Sequence, residues 1–262
     1  MSQPVAIVIP ARYASTRYPG KPLARIRGAG GIERSLIEWS WRAAARPFGP
    51  GAVIVATDDT RIADEVEGFG GRAVLTPTDL RNGTERCAFH VATLKDPPEL
   101  VINFQGDAPL IPAAFVSNLA AFATARGSAV ATPYVACNAA MAVALRSAAQ
   151  EGRAGGTCVV ADGKGSALYF SKFPIPFGGE APLRMHVGLY AYTPSALTHY
   201  LQTPPSAAEL SEGLEQLRFL DVGVAIDLLE QPLPDHGLWE LNNPDDLLPI
   251  ENALGAAVPS LS

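Results

Sequence analysis

The segment that most constrains the fold is residues 5–23, VAIVIPARYASTRYPGKPL. Val5, Ala6, Ile7, Val8 and Ile9 run without a polar break and stop at Pro10. A short apolar, β-branched run of this kind reads as a strand buried on both faces, as in a parallel sheet covered by helices. The next thirteen residues carry Arg12, Ser15, Thr16, Arg17, Gly20 and Lys21 and show no apolar periodicity. Loops leaving the carboxyl ends of central strands are where open α/β sheets bind ligands. Glycine permits close backbone approach, hydroxyls and amides donate hydrogen bonds, and arginine and lysine neutralise phosphate oxygens. The segment therefore predicts a polyphosphate cradle at the head of an α/β domain. It is neither GxxxxGK[ST], because Pro22 follows Lys21, nor GxGxxG. An ordinary basic surface loop is the plainer alternative.

With 262 residues, 48% of them hydrophobic and 18% charged, the chain is long and apolar enough for one large α/β domain. A net charge of −6 argues against a nucleic-acid partner, which selects a basic face. Cys87, Cys137 and Cys158 have neither paired nor metal-ligand spacing, which suits reduced thiols. The opening MSQPVAIVIP lacks a basic leader, and no apolar run approaches the roughly 18 residues of a membrane helix. The expectation is a cytoplasmic protein with no membrane partner.

Along the chain, helical spacing covers 32–45, and 52–56 reads as a second buried strand followed by Thr57, Asp58 and Asp59. Asp59 or Thr60 can cap the helix that runs to 67; Asp58 suits a structural role or an approach to the nucleotide, the former being favoured. A third strand at 73–76 precedes the turn-like 79–86, where Asn82, Gly83 and Thr84 can offer polar groups to a flat ring and Thr84 can equally cap a helix. Residues 100–105 form the next buried strand, ending in Gly106 and Asp107. An acid there, opposite a phosphate loop, is placed to hold Mg²⁺, although Asp beside Gly also forms plain turns. Further on come a helix from about 113, a strand at 129–135, a helix at 139–149, a hairpin of 158–162 with 167–171, and a strand at 187–192. On that strand His186, Tyr190 and Tyr192 share a face, so they line one pocket wall or pack as structural groups. A helix is expected over 206–220, capped by Ser206, with Leu210, Leu214 and Leu217 as its stripe and Glu215 and Arg218 paired on its surface. A last strand is expected at 222–229, and Asn243 with Pro244 starts a terminal helix. The predicted organisation is a single domain, 1–254, with a tail at 255–262. Within it, about 157–205 forms a β-rich subdomain that closes over the second substrate and pairs two subunits.

The first motif, followed in order by ATDD (56–59), NGTER (82–86), QGDAPLI (105–111), ALYFSKFPIPF (167–177), HVGLYAY (186–192), LEQLR (214–218) and NNPDDL (242–247), resembles the 3-deoxy-manno-octulosonate cytidylyltransferases, the CMP-KDO synthetases, over nearly the whole chain. The resemblance implies a Rossmann-like, mostly parallel sheet flanked by helices with a small β-rich subdomain, and a homodimer. It implies transfer from CTP to an acidic sugar, a 3-deoxy-2-keto sugar acid, with Mg²⁺ as cofactor and pyrophosphate as product. Arg12, Lys21 and Asp107 would be catalytic. Arg12, Ser15, Thr16, Arg17, Gly20, Lys21, Asn82, Gly83 and Gln105 would bind nucleotide. Arg86, Gln105, His186, Tyr190, Glu215 and Gln216 would bind the acceptor, with Asp107 and Asn242 on the metal.

Three positions depart from the family pattern. Asn242 stands where VDTPEDL-type motifs have an aspartate, so the metal ligand brings no charge, and Glu240 is a substitute by proximity in sequence. Ala108 replaces the glutamate of QGDEP; Cys158 replaces a lysine and Ser171-Lys172 a Ser-Arg pair, exchanging a bidentate fork for a point charge. A different sugar acid or sugar phosphate as acceptor, or a nucleotide-binding paralogue with little turnover, are the competing functions.

Overall fold

The apolar run at the start does form a central strand, β1 (Val5–Ala11), in a computed structural model that describes residues 4–15, 17–178 and 182–256. A small hairpin, β2 (Arg25–Arg27) with β3 (Glu33–Ser35), leads into α1 (Leu36–Ala45). Then come β4 (Val53–Thr57), α2 (Thr60–Gly68), β5 (Ala73–Leu75), α3 (Gly83–Ala92), β6 (Leu100–Phe104), α4 (Ala113–Arg126), β7 (Val130–Ala136) and α5 (Ala139–Gln150). The second half contains β8 (Cys158–Ala161), β9 (Ala167–Ser171), β10 (Arg184–His186), β11 (Leu189–Tyr192), α6 (Pro194–Gln202), α7 (Ala207–Glu212), α8 (Leu217–Asp221), β12 (Ile226–Gln231) and α9 (Leu247–Ala256).

One ten-stranded sheet runs β5-β4-β1-β6-β11-β7-β10-β8-β9, with β12 also paired to β7. β1 pairs in parallel with both β4 and β6, whereas β11 enters antiparallel to β6 and β7. Helices cover both faces. Ile7, Ile9, Val53, Val55, Ile102 and Phe104 face one side with Ile62, Phe115 and Leu119 from the helices. Val8, Ala56, Val101, Tyr190 and Tyr192 face the other with Cys87, Leu197, Tyr200 and Phe219. This alternation explains why β1 is apolar at every position and β6 at all but Asn103. Among the described residues no helix is long and apolar enough to cross a membrane, and the three cysteines are free and buried.

Several elements differ from their sequence-based expectation. The helix expected from 32 begins at Leu36, because Glu33–Ser35 pairs with Arg25–Arg27 and the Ser35 hydroxyl caps the helix by accepting from Glu38 N. Asn82 rather than Thr84 caps α3. The strand expected at 187–192 shortens to β11, Leu189–Tyr192; His186 ends β10, with Val187 and Gly188 between the two, and both strands pair with β7 while β10 also pairs with β8 and β11 with β6. The single helix expected over 206–220 breaks at Gly213, whose left-handed φ of 62° ends α7. Its Leu210 is consequently 71% exposed rather than part of a buried stripe. Strands β8 to β11, in the 157–205 region, extend the main sheet; the separate antiparallel sheet is the β2–β3 hairpin.

Candidate active site

The strand order β5-β4-β1-β6 places successive crossovers on opposite sides of β1, so β1 and β6 flank a topological switch point. Open α/β sheets bind ligands in the crevice at the carboxyl ends of such strands. Here the loop after β1 meets the Gln105–Gly106–Asp107 turn after β6. Lys21 Nζ lies 2.5 Å from Asp107 Oδ2 and donates also to Leu241 O at 3.0 Å. Gly20 makes this possible with a φ of 70°, its N–H bound to Tyr13 O at 2.9 Å. A Cβ there would sit 3.0 Å from the Tyr13 ring.

Arg12 and Arg17 are exposed on the same loop, and Arg17 Nη2 donates to Asn242 Oδ1 at 2.8 Å. Ser15 is half-buried and accepts from Tyr18 N; Thr16 lies outside the described residues. Asp58 accepts from Tyr13 N and pairs with Arg86 at 3.1 Å, so it braces the loop from behind. Arg86 is 2% exposed and also donates to Thr76 and Pro77, which sets its guanidinium in the wall of the site. Gly83 opens α3 hard against β1: a Cβ would stand 3.0 Å from Pro10 Cγ and 3.6 Å from the side-chain nitrogens of Asn103 and Gln105.

The C-terminal segment crosses back over this rim. Leu241 is fully buried with Ile26, Leu36 and Ile250, its N–H donates to Asp107 O at 2.9 Å, and its carbonyl accepts from Lys21. On either side, Glu240 and Asn242 touch through Oε2 and Nδ2 at 3.4 Å. Glu240 is exposed, yet surrounding protein and the nearby Asp107 charge push its carboxyl up to about 7.

A second group of residues converges beside the first, where β11 runs antiparallel to β6. His186 and Tyr190 lie with ring centroids 5.2 Å apart, and Tyr190 stacks on Tyr192 at 5.6 Å. The separate strands β10 and β11 thus still bring these rings to one face. His186 Nε2 bonds Thr132 Oγ1 at 2.8 Å, and burial holds the imidazole down to about 3, so it is neutral at ordinary pH. Tyr192 OH meets Thr84 Oγ1 at 2.9 Å, and Thr84 N donates to Glu215 Oε2 at 2.9 Å. Burial raises the Glu215 carboxyl. Glu215 and Arg218 are not a surface pair: Arg218 is 2% exposed and pairs with Glu209 at 2.6 Å and Glu85 at 3.0 Å, clamping α7 and α8 onto α3. Asn82 joins this clamp through Tyr200 OH, while its Oδ1 caps α3.

Asn103 Nδ2 and Gln216 Nε2 are among the buried amide nitrogens with no hydrogen-bond partner among the described residues. A buried orphan donor beside a site marks a place for a ligand oxygen. Asn103 escaped the sequence reading, although a lone amide inside the apolar strand LVINF is the signal that betrays it. Cys158 packs with Cys137, Leu145 and Leu183 in a small apolar cluster, and Ala108 lies in the main core.

Comparison with known proteins fits this geometry. A family model described as Cytidylyltransferase matches residues 6–226. The 3-deoxy-manno-octulosonate cytidylyltransferase of Maricaulis maris is 42% identical over 96% of this chain and 97% of its own. The 8-amino-3,8-dideoxy-manno-octulosonate cytidylyltransferase of Shewanella halifaxensis is 38% identical over 93% and 95%. The solved structure of a CMP:2-keto-3-deoxy-manno-octonic acid synthetase complexed with CTP superposes with a TM-score of 0.81 at 34% identity, covering 96% of this chain and 98% of that one. The chain belongs to the cytidylyltransferase family, alongside the 3-deoxy-manno-octulosonate cytidylyltransferases.

Proposed function

We propose that the chain transfers the cytidylyl group of CTP to the anomeric hydroxyl of 3-deoxy-manno-octulosonate or a close analogue, releasing pyrophosphate. The observation that carries this reading is the meeting of the β1 loop with Asp107 at the switch point, next to a wall of neutral aromatic and amide groups. In the reaction the acceptor oxygen bonds the α-phosphorus as the bridging bond to the β-phosphate breaks, and the hydroxyl proton is lost. Such transfer depends on positioning and charge neutralisation more than on covalent catalysis. Arg12, Arg17 and Lys21 neutralise the triphosphate, and Ser15 and Thr16 donate hydrogen bonds to it. Asn82, Gly83 and Gln105 hold the nucleoside. Neutral His186, Tyr190 and the free Gln216 amide orient the sugar acid, while Arg86 and Glu215 shape the wall behind it.

The donor set suits a divalent cation. Asp107 and Asn242 present hard oxygen donors, and each of those oxygens already has a loop cation against it, Lys21 on one and Arg17 on the other. Asp107 and Asn242 would hold Mg²⁺, which supplies positive charge against which two anionic substrates can approach. Pyrophosphate release in the presence of CTP, Mg²⁺ and the sugar acid tests the reading; a folded protein that releases none with any 3-deoxy-2-keto acid overturns it. The Shewanella relative motivates running the 8-amino analogue beside the parent sugar.

A homodimer through the β9 edge completes the reading. Leu168, Phe173, Phe177 and Leu210 are 61%, 58%, 95% and 71% exposed around that edge strand, an apolar patch of the kind that self-association covers. Light scattering should give twice the chain mass, and Leu168→Glu should lower it to one.

A further inference from the structure

The metal-side reading leaves a charge deficit. Of its two ligand candidates only Asp107 is anionic, and without substrate Lys21 pairs with it while Arg17 donates to Asn242. We propose that Glu240 is the second carboxylate of the divalent-cation site, supplying the charge that the Asn242 amide lacks. The inference rests on the cation reading above and adds a residue to it.

Two observations support it. Leu241 is tied by both backbone polar groups to Asp107 and Lys21 and buries its side chain. Its neighbours are thereby held at the same rim, where Glu240 and Asn242 touch. Second, the Glu240 carboxylate reaches over the turn between β10 and β11: a Cβ on Gly188 would lie 3.2 Å from Glu240 Oε1 and 3.3 Å from Gln105 Cγ. It therefore stands between the phosphate loop and the acceptor wall, where the reacting groups must meet. Two like-charged oxygen donors on facing segments are relieved by a cation between them.

The test is Mn²⁺ binding followed by electron paramagnetic resonance in the presence of CTP, with thermal melts to show that each variant is folded. Glu240→Gln should weaken Mn²⁺ binding by about tenfold or more, and so should Asp107→Asn. Glu240→Asp, which keeps the charge on a shorter arm, should fall between Glu240→Gln and the parent. Adding Asn242→Asp to Glu240→Gln should restore most of the affinity by moving the carboxylate one ligand along. If Glu240→Gln binds Mn²⁺ like the parent while Asp107→Asn does not, Glu240 is no ligand and the cation reading stands without it. If the parent binds no Mn²⁺ with CTP, both readings fall.

Discussion

The two halves of the site handle charge in opposite ways. On the nucleotide side, Arg12 and Arg17 are exposed and Lys21 is half-buried, all three on the segment that follows β1. On the acceptor side the cations are Arg86, held by Asp58, and Arg218, each 2% exposed; Arg218 is ringed by Glu209, Glu85 and the Tyr200 face and touches the site only through the helices it holds. The first arrangement keeps cations free to exchange partners with phosphate oxygens. The second fixes the shape of a desolvated wall whose contact groups are neutral. Charge serves chemistry where it is wet and architecture where it is dry.

This contrast can be broken, the largest effect first. Glu209→Ala leaves Arg218 short of a buried partner, and losing one member of such a pair costs about 3–5 kcal/mol. Urea denaturation should show that loss in stability, and an unchanged midpoint would mean that the clamp is ornamental. Lys21→Met removes a charge from the exchanging side instead. It should lower kcat/KM for CTP by about 10²–10³-fold, the size seen when one preorganised donor is deleted, with the melting temperature nearly unchanged. A large stability loss with Lys21→Met would erase the distinction between the two halves.

The smallest effect concerns His186. An imidazole in the unfolded chain titrates near 6.5, whereas burial holds His186 down to about 3. Below about 6.5 the unfolded chain therefore takes up a proton that the folded one refuses. Stability is full above that pH and declines as pH falls toward 3. His186→Asn should flatten this acid slope in part, because burial also lowers His90 and leaves its share in place. Denaturant midpoints at pH 7 and pH 5 for both proteins measure the difference, and equal slopes would place His186 in water.

The sequence made the nucleotide side legible because its elements are local. A buried strand, a glycine-bearing loop and a terminal Asp each announce themselves within a few residues. The acceptor side depends on partners far apart in the chain. Arg218 finds Glu85 across 133 positions, and Thr84 finds Glu215 across 131, so spacing rules returned only the false surface pair of Glu215 with Arg218. Gly213 misled for a related reason. It interrupts an apolar pattern that continues on both sides, so periodicity alone joined what the backbone divides. The hairpin at 25–35 was hidden because its strands are three residues each and mostly polar, with no alternation long enough to register.

Leu241 works as a latch between the two ends of the chain: one hydrophobic side chain seats the tail, and the backbone of that same residue fastens both Lys21 and Asp107. The sheet is complete by Gln231, ten residues earlier. Reactivity can therefore be retuned from a strap outside the folded scaffold, by exchanging the residues on either side of the latch without disturbing a strand.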